Sequence, residues 1–205
     1  AQAGGSMLTS HRFLNAFEQS QSVCPDTGWQ PHHLLIQEDN AQDGAPTDTS
    51  TDTSTTLNTR TDTNTSAQNI VAVVPLYVKG HSYGEFVFDW AWADAYQRAG
   101  LRYYPKWLAG VPFTPVTSAR LLCAPADQSL AAQALLQTVK ATNLSSLHVL
   151  YTNANEQACL EQAGCLTRHH TQFHWHNPGW SSFDDFLAQL TQPKRKKVRA
   201  ERRKV

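Results

Sequence analysis

The run Asn69–Lys79, NIVAVVPLYVK, narrows the choice of fold more than any other part of this chain. It is nearly continuous in Ile, Val and Leu. A strand with one wet face alternates apolar and polar residues, whereas a strand covered on both faces does not have to. The chain must therefore lay other elements over both sides of this strand. The elements read along the sequence can do so. Their order is helix, strand, strand, aromatic insert, bent strand, helix, strand, helix, strand, helix. Mixed strands flanked by helices predict an α/β domain of three layers around a mixed central sheet.

The first helix is Ser10–Ser20, with Phe13, Leu14 and Phe17 at helical spacing behind a Ser10 cap. His32–Gln37 reads as a short strand. From Glu38 to Asn69 the chain is almost entirely Thr, Asp, Ser and Asn, and the unit TDTS occurs twice. Such a segment has no apolar face with which to offset its ordering entropy, so it reads as a disordered insert between two strands. A glycosylated stalk is the alternative, and it would need secretion. Ala91–Ala99 is helical and stops at Gly100. Trp107–Cys123 is extended but broken by Pro112 and Pro115, which places it at an edge or bends it. Asp127 caps a helix running to about Thr142. Ser146–Tyr151 is a strand, Asn155–Ala163 a helix, and Leu166–His176 alternates like a strand. Ser182, with Asp185 as its capping-box partner, opens a helix that Pro193 interrupts. These elements make a domain over residues 1–193, followed by a basic helix over 194–205.

The 205 residues carry 17 basic and 17 acidic side chains, but the balance hides an asymmetry. The segment KRKKVRAERRKV, Lys194–Val205, holds eight of the basic residues and one acid, which leaves nine basic and 16 acidic groups elsewhere, a net of minus seven. No apolar run approaches the roughly 20 residues a membrane-spanning helix needs. No signal peptide is recognisable. The four cysteines, Cys24, Cys123, Cys159 and Cys165, form no CxxC pair, so scattered reduced thiols in a cytoplasmic protein are the simplest reading.

Between His81 and Pro105 the chain interleaves rings with acids: HSYGEFVFDWAWADAYQRAGLRYYP. A core accepts the rings and rejects the acids, and a solvated loop does the reverse. A substrate cleft takes both. Tyr83, Trp90 and Trp92 are the candidate substrate-binding rings. Glu85, desolvated by Tyr83 and Phe86, is the candidate general base, with Asp89 and His81 beside it as further catalytic candidates. The opposing reading is a core corner whose acids point to water. His174 and His176 lie on one side of the expected strand, with Asn177 following. An HxH pair needs a third ligand to hold zinc, so hydrogen bonding to Asn177 or to substrate is the preferred reading and no metal is assigned.

The strings VPLYVKGHSYGEFVFDWAWADAYQRAGLRYYPK, VPFTPVTSARLL, SSLHVLY, QFHWHNPGWSSFDDFLAQL and KRKKVRAERRKV resemble the FemAB-like branch of the GNAT acyltransferase superfamily. The resemblance implies a GNAT-like fold and transfer of an acyl or aminoacyl group to an amine. It also implies two GNAT-like halves, of which this chain looks like the first, with the basic helix leading to the missing second half. Acyl-CoA or aminoacyl-tRNA is then the donor for the longer protein, and an amine or peptide-like small molecule the acceptor. The place that matches a GNAT pyrophosphate turn, Val116–Ser129, has no glycine and puts Asp127 at the helix start, so neither donor is expected to bind this half tightly. Arg120 is left to pair with an anionic substrate group or to form a structural salt bridge. Lys194, Arg195 and Lys197 are the candidate phosphate or donor contacts. A non-catalytic ligand-binding module, and nucleic-acid contact through the basic tail, remain the alternatives.

Overall fold

A computed structural model describes residues 6–37 and 70–204, so the Thr/Asp-rich insert lies outside the described residues. The chain forms two compact units that meet in sequence between Thr167 and Arg168.

The first unit contains α1 (His11–Gln19), β1 (Trp29–Pro31), β2 (Leu34–Gln37), β3 (Ile70–Val74), β4 (Leu76–Lys79), α2 (Trp90–Arg98), β5 (Lys106–Ala109), β6 (Leu122–Cys123), α3 (Gln128–Lys140), β7 (Leu147–Val149) and α4 (Ala154–Gln162). Its fold is mixed α/β. One sheet has the order β1-β4-β5-β7, and the other β2-β3-β6. In the first sheet only β5 and β7 run parallel.

The apolar run over residues 69–79 is two strands rather than one. Pro75 divides it, and β3 and β4 enter different sheets. Proline has no N–H for a ladder, so a change of sheet there sacrifices no bond. Burial on both faces holds for β4, where Leu76, Tyr77 and Lys79 are all inaccessible to solvent. Leu76, Trp107 and Ala109 face the main core, packed with Ala132, Leu135 and Leu136 of α3 and Leu160 of α4. Tyr77 and Leu108 face the opposite way, into a smaller core with Val23, Trp29 and Phe17. The sheet thus has α3 and α4 on one side and α1 on the other, because side chains alternate along β4 and β5.

The stretch 116–121 is fixed by a reciprocal arrangement. The Arg120 guanidinium, fully buried, donates to the carbonyls of Leu150 (2.6 Å) and Val116 (2.8 Å) and to Ser118 Oγ. The buried Glu156 carboxylate accepts from the backbone amides of Arg120 (2.6 Å) and Leu121 (2.7 Å). Glu156 also closes the capping box of α4 with Asn153. Asp127 precedes α3 as read, but its side chain makes no capping bond.

In the second unit α5 (Phe183–Gln189) begins with the expected Ser182–Asp185 capping box. Pro193 occupies the first turn of α6 (Gln192–Arg202), where its missing N–H costs nothing. The expected strand over residues 166–176 is not formed. Phe173 is 98% exposed, and no strand among the described residues pairs with the segment, so its alternation has neither a ladder nor a buried face.

Glu156→Ala should cost about 3 kcal/mol or more, because two buried amides lose a charged acceptor. Urea denaturation should show this loss, with Glu156→Gln recovering part of it.

Candidate active site

The site grows from strand register. Lys79 on β4 lies directly opposite Lys106 on β5, and Trp29 on β1 lies opposite Lys79. The next row on the same face brings Leu108 opposite His148 of β7. Two lysines therefore project from the face that carries the smaller core, and both are fully buried. A buried ammonium needs acceptors. The loop that follows β4, residues 80–89, supplies them.

Lys106 Nζ donates to Ser82 Oγ (2.8 Å), Glu85 Oε2 (2.9 Å) and Asp89 Oδ2 (2.8 Å). An ammonium has three protons, so these bonds saturate it. His148 Nδ1 stands further off, at 3.4 Å. Asp89 Oδ2 also accepts from Ser82 Oγ and Tyr103 Oη, each at 2.8 Å. The single Ser82 proton goes to that acceptor-only carboxylate, so Tyr104 Oη, 2.8 Å away, donates to Ser82. By the same reasoning Tyr103 Oη accepts from His148 Nε2 at 3.5 Å, which leaves Nδ1 bare toward Lys106. Asp89 precedes α2 and looks like a helix cap, yet its side chain makes no cap bond because it turns to Lys106.

The two carboxylates differ. Burial pushes the Glu85 carboxyl up, against the opposing pull of Lys106. Burial acts on Asp89 in the same direction, but the bonds from Lys106, Ser82 and Tyr103 together outweigh it and hold that carboxyl below its ordinary range. Each retains one buried oxygen with no hydrogen-bond partner, Glu85 Oε1 and Asp89 Oδ1. Lys79 Nζ donates to the Tyr83 carbonyl (3.2 Å) and lies 3.6 Å over the Trp29 ring. Burial lowers its pKa to about 7, with Glu85 resisting and Lys106 assisting the fall.

Above this cluster the loop turns its rings outward. Tyr83 and Trp90 meet at 5.4 Å between centroids, and Phe86, Phe88 and Trp92 are at least half exposed. The loop backbone is held in a sparsely populated conformation. Phe86 has φ 57°, and its carbonyl accepts from Tyr151 Oη (2.8 Å); Tyr151 itself has φ 57°. Strain of this kind costs on the order of 1–3 kcal/mol per residue and gathers at functional sites. Gly84, at φ +80°, has no room for a Cβ, which would sit 2.6 Å from the Phe113 ring.

The structure thus brings together Glu85 and Asp89, and separately Tyr83 and Trp90. Trp92 stands on α2, two residues beyond Trp90. The His81 ring contacts Tyr83, and its Nδ1 accepts from the Tyr83 amide. Arg120 makes no salt bridge among the described residues; its fork donates to main-chain carbonyls and to Ser118. His174, His176 and Asn177 belong to the second unit. The two imidazoles stack at 6.3 Å, and Asn177 bonds to its near neighbours Gly179 and Trp180. Arg195 donates to the carbonyls of Leu187, Ala188 and Leu190 at the end of α5, which engages its guanidinium there. Lys197 pairs with Glu201 at 3.8 Å, and Lys194 is exposed.

Sequence reading missed Lys79, Lys106, Ser82, Tyr103, Tyr104 and His148. The available signal was a lysine at the end of one apolar strand and at the start of the next, in LYVKG and YYPKWLA. Glu85, Asp89 and His148 also offer ligand atoms within 4.8 Å of one another, a set that could hold a metal ion. Lys106 contacts all three and supplies the positive charge at that point.

A family model described as peptidoglycan biosynthesis/recognition matches residues 2–205. The chain belongs to the FemAB-like family. This is a transferase family, and the shared pattern spans both units. No curated protein and no solved structure matches the chain. Among the described residues, no helix is long and apolar enough to cross a membrane.

Lys106→Met should cost about 3–5 kcal/mol in urea, since it leaves two buried carboxylates without their cation. Lys79 binds its proton more weakly folded than unfolded, so stability should rise between about pH 7 and pH 10. Denaturation across that window should lose this rise in Lys79→Met.

Proposed function

We propose that this FemAB-like chain transfers an acyl or aminoacyl group to an amine, and that the Glu85 loop holds the acceptor. One observation carries this reading: Glu85 is buried with one oxygen on Lys106 and the other without a partner, beneath a rim of exposed rings. Amines reach an enzyme as ammonium ions and must lose a proton before they attack. A carboxylate whose proton affinity is raised by burial is a fitting acceptor for that proton. Lys106 orients Glu85 and, with Asp89 held ionised, stays in place as a counter-charge.

The step balances without a covalent enzyme intermediate. The amine nitrogen bonds to the acyl carbon as the bond from that carbon to the donor oxygen or sulfur breaks. The ammonium gives one proton to Glu85 Oε1 before attack, the nitrogen sheds its second proton to the leaving group as that group departs with its electron pair, and Glu85 then returns its proton to solvent.

The donor, an acyl-CoA or aminoacyl-tRNA, is held elsewhere than the stretch 116–129. Two features support this. Glu156 already occupies the amides of Arg120 and Leu121, and Asp127 stands at the head of α3. Both disfavour a pyrophosphate there. A module that binds its ligand without chemistry is the second reading, favoured by the completeness of the Lys106 bonds.

Glu85→Gln decides between them. With aminoacyl-tRNA or acetyl-CoA as donor and a short peptide bearing a free amine as acceptor, it should slow transfer by about a hundredfold or more while leaving peptide binding intact. Transfer at the full rate by Glu85→Gln, or none by the parent chain with either donor, would overturn the catalytic reading.

A further inference from the structure

The first segment of the second unit presents two imidazoles on one side. Trp175 lies between them in sequence, and its indole packs on Trp180 (5.9 Å between centroids) and Phe186 (6.3 Å). Asn177, the next residue along, is fixed by its bonds to the Gly179 and Trp180 amides and to the Trp180 carbonyl. Side chains alternate along an extended chain, so a Trp175 ring turned to Trp180 sends His174 and His176 together to the opposite side. Their rings accordingly lie nearly parallel, 20° apart, with centroids separated by 6.3 Å. Both are exposed, and neither ring makes a hydrogen bond among the described residues.

That spacing is close to what a shared metal ion requires. Two imidazoles on one tetrahedral zinc, with Zn–N of about 2.0–2.1 Å, have centroids roughly 5 Å apart. The observed pair is wider by only about 1 Å, a gap that small side-chain rotations close without leaving their rotamer wells. The donor type selects the ion. Imidazole nitrogen suits zinc, copper and nickel, whereas magnesium and calcium need oxygen ligands.

A pair alone holds such an ion weakly. The same segment carries a third imidazole of the same parity, His170, which is also exposed. It is not gathered with the other two: among the described residues only Glu85, Asp89 and His148 bring three ligand atoms within 4.8 Å of one another. Four extended residues span about 13 Å, so the chain between His170 and His174 must bend for all three to meet. Little opposes that bend. Residues 165–178 form no helix, strand or turn, and Phe173 within the bend is 98% exposed and has no packing to lose.

We propose that residues 170–176 form a divalent transition-metal site, with His174 and His176 as its preformed pair and His170 as the ligand brought in by the bend. Binding the ion and fixing the segment are then one event, because the ligands converge only in the bent chain. A fourth, open position on the ion is left for water or a small ligand. The site is separate from the Glu85 cluster and does not rest on the transfer reading.

Zinc, nickel and magnesium, each titrated into the EDTA-stripped full chain in competition with a chromophoric chelator, test this. Zinc and nickel should bind saturably at one ion per chain, and magnesium should not. His174→Ala, His176→Ala and His170→Ala should each weaken zinc binding by about tenfold or more, while His169→Ala, of the opposite parity, should not. Zinc should slow amide hydrogen exchange across residues 170–176 in the parent chain and not in His174→Ala. Binding that survives His174→Ala/His176→Ala, or is unchanged by His170→Ala, or leaves exchange across the segment unaltered, would show adventitious chelation by surface histidines and overturn the proposal. Loss of binding in Glu85→Gln would place the ion in the other cluster and overturn it equally. The substituted histidines are exposed, and circular dichroism should show each variant folded.

Discussion

The Lys106 ammonium is the interaction on which the first unit's organisation depends. Its three acceptors all come from one irregular loop, at Ser82, Glu85 and Asp89. That loop has little backbone bonding of its own. The Phe113 amide reaches the Gly84 carbonyl at 3.1 Å, and the Glu85 amide only just reaches Ser82 at 3.4 Å. A charge sealed from water therefore does for this segment what a ladder does for a strand. Burying an ion pair adds little net stability over an apolar pair, but losing one partner strands the other. The arrangement therefore specifies position more than it adds stability. It determines where the exposed rings of Tyr83, Phe86, Phe88 and Trp90 stand.

Donor count around the same ammonium separates the two carboxylates. Asp89 Oδ2 collects Lys106, Ser82 and Tyr103, and three donors on one oxygen overcome burial. Glu85 has Lys106 alone among side-chain donors, so burial prevails. Neighbouring acids of similar intrinsic strength are thereby driven apart, the arrangement that lets one remain an anion while the other exchanges a proton. Tyr103 takes part in the division: its proton is fixed on Asp89, and burial together with that bond places its own ionisation far above the ordinary range.

Much of this was legible in the residues, and the remainder required register. The interleaved rings and acids marked the loop, because neither a core nor a solvated surface accepts both. The Ser10 and Ser182 caps and the Gly100 stop were readable because they are local. The lysines were not. A lysine ending an apolar strand ordinarily extends to water along its own stem. Only the pairing of Lys79 with Lys106 across β4 and β5 puts both on one buried face. Pro75 was visible, but which sheet each side joins is set by distant partners. The alternation over residues 166–176 was equally visible, and no neighbouring strand was there to use it. Arg120 and Glu156 show the same limit. The bonds that tie them to distant chain, from Arg120 to the Leu150 carbonyl and from the Arg120 and Leu121 amides to Glu156, span 30 to 36 residues and involve main-chain atoms, to which composition gives no clue.

The charge of the resident cation matters as much as its position. Glu85, Asp89 and His148 are a donor set that a divalent ion could also use. Two positive charges would neutralise both carboxylates and draw Glu85 down, leaving it a poor proton acceptor at neutral pH. One ammonium against two carboxylates leaves an excess of one negative charge, which adds to burial, the main cause, in raising the affinity of Glu85 for a proton. Lys79 adjusts the excess. With its pKa lowered to about 7, it is charged in mildly acidic solution and largely neutral in mildly alkaline solution. Below that point two ammonium groups balance two carboxylates, and Glu85 has less need of a proton. Above it that pull is lost, and the affinity of Glu85 for a proton rises. The cross-strand lysine pair thus couples the basicity of the site to pH through a residue that touches neither carboxylate directly.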